Sequence, residues 1–280
     1  MSLKLMYITN RPDVACIAQQ CGVDRLFVDM EYIGKDIRQG GLDTVKSFHT
    51  IDDVKAIRKV LNQTELLVRI NPIHEATENY CNSKEEIDAV IDAGADIIML
   101  PMAKTVEEVS TFVNLVNRRV KTMLLLETVE AAEVITDILD NCKVDEVHIG
   151  LNDLHLSYGL KFMFELRANG TVEAICEKIK KYNIPYGFGG IARLGYGMLP
   201  AEYVIAEHYR IGSTMAILSR SFCDIYKTND IEEITHLFSQ EIKKIREFEN
   251  TLLHKNNEFF ENNQTETKKF VDKIIAKIEG

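Results

Sequence analysis

Short apolar runs, most of them stopped by a charge, a glycine or a proline, alternate along this chain with stretches whose apolar residues fall three and four apart. The runs lie at 3–8, 25–29 (RLFVD), 65–70 (ELLVRI), 96–100 (DIIML), 121–126, 146–149, 185–188 and 209–211. Unbroken runs of this length suit strands buried on both faces, the habit of parallel sheets. The stretches between them suit amphipathic helices: Val54, Ile57, Val60 and Leu61 share one face, and Val109, Phe112, Val113 and Val116 another. Start signals precede several of them. Pro12 sits in a first turn, and Ser83–Glu86 and Thr105–Glu108 have the spacing of capping boxes. Further helices are expected at 128–139, 171–182, 200–207 and 214–226, and long loops at 32–49 and 151–169.

Strand and helix alternating eight times demands a parallel sheet with helical crossovers, and eight repeats in this length favour a closed α/β structure, the TIM (β/α)8 barrel. An open doubly wound sheet is the rival, but no Gly-x-Gly-x-x-Gly follows the first run. The barrel domain is expected over 1–228 and a C-terminal helical extension over 229–280. In that extension Ile231, Ile234, Phe238, Ile242, Ile245, Phe248 and Leu252 form a long apolar stripe. A bare stripe of this kind needs a cover, and a partner subunit is the expected one. A second amphipathic helix is expected at 265–278.

Composition narrows the function classes. The net charge of −10 argues against a nucleic-acid partner, which needs a basic face. No apolar stretch approaches the length of a membrane helix, so no membrane partner is expected. The six cysteines form no Cys-x-x-Cys pair and read as small core residues of a reducing, cytoplasmic compartment.

The chemistry gathers where the runs stop. Asp29 and Glu31, Arg69, Glu127, Asp153, Gly189-Gly190 and Gly212-Ser213 all follow expected strands, and in a barrel such ends meet on one face. Glu127 and Asp153 close neighbouring strands five and six. Two carboxylates brought together repel unless a cation or proton lies between them, so the pair is expected to hold one divalent metal, Mg2+ or Mn2+. Arg69 would grip a carboxylate or a developing enolate oxygen, or pair with an acid such as Glu31. The 33–49 loop carries Lys35, Arg38 and Lys46 beside flexible glycines and is a candidate cover for an anionic substrate.

Five segments carry a resemblance: FVDME (27–31), VRIN (68–71), GADIIMLPM (94–102), LLET (125–128) and GLNDL (150–154). Their order is similar to that of the HpcH/HpaI aldolase and citrate lyase β-subunit family. The resemblance implies a phosphoenolpyruvate/pyruvate-type barrel, metal on Glu127 and Asp153, and Arg69 holding the substrate's carboxylate and enolate; Glu31, Gly150, Asn152 and Arg38 are the further candidate substrate contacts. It also implies a homo-oligomer, a trimer or hexamer. Two positions depart from the aldolase pattern. Tyr32 stands where a proton-transferring histidine is usual, and Leu125 where a glutamine is common. Tyr32, His49 and His155 are the candidates for that proton step.

The reading is a metal-dependent carbon–carbon lyase acting on a 2-oxo acid through a metal-bound, pyruvate-like enolate. Asn71-Pro72 leans toward a citrate-lyase-like acyl-CoA lyase or thioesterase, with an acyl thioester as substrate. Tyr32 and Leu125 would suit a barrel that binds metal or ligand without turnover.

Overall fold

A computed structural model describes residues 2–34, 49–219, 222–223 and 229–279. Eight parallel strands close into a barrel in sequence order: β1 (Lys4–Ile8), β2 (Arg25–Asp29), β3 (Glu65–Arg69), β4 (Ile97–Leu100), β5 (Lys121–Leu126), β6 (Glu146–Ile149), β7 (Tyr186–Ile191) and β8 (Met215–Leu218). Around them run α1 (Pro12–Gln20), α2 (Ile51–Val60), α3 (Ser83–Asp92), α4 (Val106–Val116), α5 (Val129–Glu133), α6 (Ile135–Asn141), α7 (Leu151–Ser157), α8 (Glu165–Ala168), α9 (Thr171–Lys180), α10 (Ala201–Ile211), α11 (Ile231–Leu252) and α12 (Asn257–Glu279).

The expected barrel is present, with corrections near its closing strand. The 209–211 run is the last turn of α10, ended by Gly212 in the left-handed region at φ 76°. Strand eight is the next apolar segment, Met215–Leu218, which pairs with both β7 and β1. A three-residue apolar run beside a glycine is compatible with either a strand or a helix end, and only the closing ladder decides. The helix expected at 214–226 is therefore displaced by β8, and Gly212-Ser213 lies before that strand, at the end of the barrel away from Glu127. The long loop expected at 151–169 contains α7 and α8, and the 128–139 helix breaks at Val134. The capping box of α3 is Asn82 with Glu85, one residue earlier than expected. Ser83 and Glu86 are buried and engaged elsewhere, on His74 and Asn71.

Most of the apolar stripe expected to need a partner subunit is covered by its own barrel. Helix α11 follows β8 and packs on α1 and α10 as the eighth outer helix, burying Ile234, Phe238, Ile242, Ile245 and Leu252. Phe238 meets Tyr7 edge-on with ring centroids 4.9 Å apart, and Glu249 accepts the Leu3 N–H at 2.7 Å. The expected boundary at 228 thus falls between β8 and the helix covering it. Helix α12, longer than the expected 265–278, packs on α8 and α10. No described helix is long and apolar enough to cross a membrane.

The barrel interior is layered. At the strand N-termini Arg25 is fully buried, with Nη1 and Nη2 on Glu146 at 2.5 and 2.8 Å and Nε on Glu65 at 2.7 Å. Above it lies an apolar plug of Met6, Phe27, Leu67, Ile97, Met99, Met123, Leu125 and Met215. His148, in register with Leu125, shares this interior. The plug makes the barrel a packed core and forces any chemistry onto its rim.

Candidate functional site

Three strand ends converge above the plug. Asp29 and Arg69 are register partners at the last pair of the β2–β3 ladder, so their side chains leave the sheet on the same face. Arg69 meets Asp29 in a two-pronged fork, Nε to Oδ1 and Nη2 to Oδ2, both at 2.8 Å. Its Nη1 lies 3.3 Å from Glu31 Oε2. The sequence reading offered Glu31 as the acid beside Arg69; the structure adds Asp29 as the closer partner. These carboxylates raise the Arg69 pKa well above its ordinary value, against the desolvation of its half-buried side chain, and the guanidinium stays charged. The fork occupies Nε and one N–H of Nη2, leaving N–H groups on Nη1 and Nη2 to meet an anionic oxygen.

Glu127 directly follows β5 and is buried at 2% exposure. Its Oε1 accepts the backbone N–H of Met102 at 3.0 Å. Met102 has φ 54°, a left-handed turn behind Pro101 that sends this amide back toward the β5 end. On the other side stands Gly150, the cap of α7: a β-carbon there would lie 2.9 Å from Glu127 Oε2. Burial pushes the Glu127 carboxyl well above the carboxylate range. The charge of Asp153 pushes it further, against the pull of Arg69, and Glu31 adds to the rise. A proton or a bound cation would relieve such a group, whose charged neighbours include two more acids besides Arg69.

Asp153 and Asn152 lie in the first turn of α7 and are half-buried. Among the described residues no three His, Cys, Asp or Glu side chains form a metal cluster by themselves. A site of two carboxylates suits Mg2+ or Mn2+, which keep waters and take further oxygens from substrate. The donor set and the glycine clearance beside Oε2 fit a hard divalent cation.

The remaining candidates separate. Tyr32 donates its hydroxyl to the His49 carbonyl, and burial pushes its pKa up to about 12. His49 is buried and accepts the Asp29 N–H on Nδ1 at 3.0 Å. His155 is buried in α7 with Nδ1 on the Leu151 carbonyl at 3.1 Å. It is two residues beyond Asp153, about 200° round the helix from it. Arg38, Lys35 and Lys46 lie outside the described residues. Gly189-Gly190 sit within β7 rather than after it, and the Gly189 carbonyl accepts from His148 Nε2 at 3.1 Å.

Asn71, which leaned the sequence toward an acyl lyase, is engaged in the scaffold. Its Oδ1 accepts the N–H groups of Tyr32 and Ile33 at 2.8 and 2.9 Å, and its Nδ2 donates to Glu86 at 2.8 Å. Met102 and the Asp29 fork were missed as site elements. Pro101 directly after a strand signalled a turn, but not where the next amide would point.

Against known proteins, the model for "HpcH/HpaI aldolase/citrate lyase" matches residues 4–170, more than half of the chain. Among solved structures, an HpcH/HpaI aldolase/citrate lyase family protein from Burkholderia cenocepacia J2315 is 14% identical with a TM-score of 0.60, over 83% of this chain and 95% of that one. The HpcH/HpaI aldolase of Desulfitobacterium hafniense DCB-2 is 17% identical with a TM-score of 0.60, over 88% and 93%. Citrate synthase SbnG is 17% identical with a TM-score of 0.58, over 81% and 89%. At these identities the structures speak to fold alone. No curated protein matches the chain.

Proposed function

The chain belongs to the HpcH/HpaI aldolase/citrate lyase family, and from that premise we propose that it is a metal-dependent carbon–carbon lyase acting on a small 2-oxo acid. The observation that carries this reading is the charge imbalance at the rim. Glu127, buried beside Asp153 and Glu31, has its ionised form disfavoured until a cation arrives, while Arg69 is held charged across from it. Glu127 and Asp153 would hold Mg2+ or Mn2+. A bound divalent ion supplies Lewis-acid polarisation of the substrate's carboxylate and keto oxygens.

The chain's own residues then do the following. Arg69, fixed by Asp29, presents its remaining N–H groups to the oxygen on which negative charge develops as the carbon–carbon bond breaks. A donor held rigid beforehand costs no reorganisation during the reaction. The Met102 N–H holds Glu127 in place at Oε1, and Gly150 leaves Oε2 unobstructed. The proton step falls to Tyr32, His49 or His155. Tyr32 is suited to hydrogen-bond donation, since a phenol at about 12 is a poor base at neutral pH. Arg38 and Asn152 remain proposed substrate contacts. A homo-oligomer now rests on family resemblance, because most of the α11 stripe is covered within the chain.

The test is decarboxylation of oxaloacetate and exchange of pyruvate methyl protons with solvent, each with added Mg2+ or Mn2+. Activity that needs the metal, and vanishes in Glu127→Gln, is expected. A wild-type protein with neither activity, whose divalent-ion affinity is unchanged by Glu127→Gln, would overturn the reading.

A further inference from the structure

Strand β1 ends before β2 does. Its last partner in the β1–β2 ladder is Ile8 with Phe27, and Thr9 N–H reaches the Phe27 carbonyl. Asp29, two residues on, therefore has no β1 carbonyl to receive its N–H, at a residue only 2% exposed. A buried amide without an acceptor is costly, and structures supply one. Here the acceptor is a side chain: Asp29 N–H donates to His49 Nδ1 at 3.0 Å. The same histidine's carbonyl receives the Tyr32 hydroxyl. His49 is itself anchored, because Thr50, the next residue, caps α2 in a reciprocal box with Asp53.

We propose that His49 is a positioning residue for Arg69, acting through Asp29. Its ring nitrogen fixes the backbone of the residue whose carboxylate forks the guanidinium. Accepting at Nδ1 leaves the ring proton on Nε2. The role needs an acceptor at the Nδ1 position and no proton transfer, which separates it from an acid–base role for the same residue. It rests on the lyase reading only in the consequence for turnover.

The expected consequence follows from what Arg69 does. A guanidinium that moves affects charge developing in the transition state more than it affects ground-state binding. His49→Leu removes the acceptor; His49→Asn places an amide oxygen near the position of Nδ1. With Mg2+ and oxaloacetate, His49→Leu is expected to lower kcat roughly 10- to 100-fold with KM within about threefold. His49→Asn is expected to recover most of the loss. Unchanged kcat in His49→Leu, or no recovery in His49→Asn when both variants melt near the wild-type temperature, overturns the proposal.

A second measurement needs no turnover. Long-range 1H–15N correlation on the wild-type chain is expected to show His49 with Nδ1 unprotonated and Nε2 protonated, and a protonated Nδ1 overturns the inference. If wild type fails to process any 2-oxo acid, the lyase reading falls alone. The crystal structure of His49→Leu then decides: a displaced Arg69–Asp29 fork supports the role, and an unmoved fork ends it.

Discussion

Gly150 lies against the carboxylate of Glu127, so that a β-carbon at 150 would stand 2.9 Å from Oε2, 3.0 Å from Glu127 Cβ and 3.2 Å from a Leu125 methyl. The backbone of Gly150, at φ −82° and ψ 90°, places no demand for glycine. Its lack of a side chain serves the neighbouring carboxylate. Gly150→Ala is therefore expected to leave the fold intact while turning Glu127 away from its place. Affinity for Mn2+ should fall at least about tenfold, the scale seen when groups orienting a metal ligand are lost. Titration calorimetry, with circular dichroism to confirm folding, checks this. Unchanged Mn2+ affinity would detach Gly150 from the site.

The Arg69–Asp29 fork makes a second, sharper demand. Lysine cannot form a two-pronged contact, so Arg69→Lys keeps the charge and loses the geometry. Turnover of oxaloacetate is expected to fall about 10²- to 10³-fold, the cost of losing one preorganised donor. Asp29→Asn keeps a single acceptor and is expected to fall between Arg69→Lys and wild type. Metal affinity should barely move in either variant, because neither residue is a proposed ligand. Steady-state kinetics beside a Mn2+ titration separate the two effects.

A third expectation concerns the far end of the barrel. Arg25, fully buried, is held by both oxygens of Glu146 and by Glu65. Removing one partner strands a buried charge, which costs about 3–5 kcal/mol, whereas removing both is far milder. Glu146→Gln should therefore destabilise more than the Arg25→Met, Glu146→Gln double variant. Urea midpoints in a double-mutant cycle measure the coupling, expected to exceed about 1 kcal/mol. An additive cycle would mean that Glu65 alone compensates Arg25.

Seven of the eight strands are legible in the sequence for one reason: strands buried on both faces read as apolar runs, and a charge or turn residue marks where burial ends. The eighth is misplaced because Tyr209-Arg210-Ile211 before a glycine looks the same whether it ends a helix or a strand. The following helix is lost with it, and α11, which completes the barrel, reads as an appendage in search of a partner. At the rim, Glu31, Arg69, Glu127 and Asp153 are legible as charges interrupting apolar runs. The contacts that hold them are not. The Asp29 fork depends on which residues share a register, the Met102 amide on a left-handed turn, and the His49 contact on a residue 20 positions from Asp29. These are matters of backbone path, which the hydrophobic pattern does not record.

The interior histidine makes the last prediction, and its sign can be worked out. His148 is wholly buried in the barrel, its Nε2 on the Gly189 carbonyl and its Nδ1 without a hydrogen-bond partner among the described residues. Burial pushes its pKa down to about 4, and the nearby Arg25 charge acts in the same direction. An unfolded histidine titrates near 6.5. Between those values the unfolded chain binds a proton that the folded chain refuses, so stability falls as pH drops from about 6.5 to about 4. A gap of that width corresponds to roughly 3 kcal/mol, complete once pH passes the folded value. His148→Leu, similar in bulk and unable to titrate, should flatten the slope of unfolding midpoint against pH in that window and leave it unchanged above pH 7. The slope should not vanish, because His208 is also buried, with its pKa held well below the ordinary value by burial and by Arg167. Thermal melts of both chains from pH 4 to 8 read this directly. Parallel curves for wild type and His148→Leu would show that the acid sensitivity arises elsewhere.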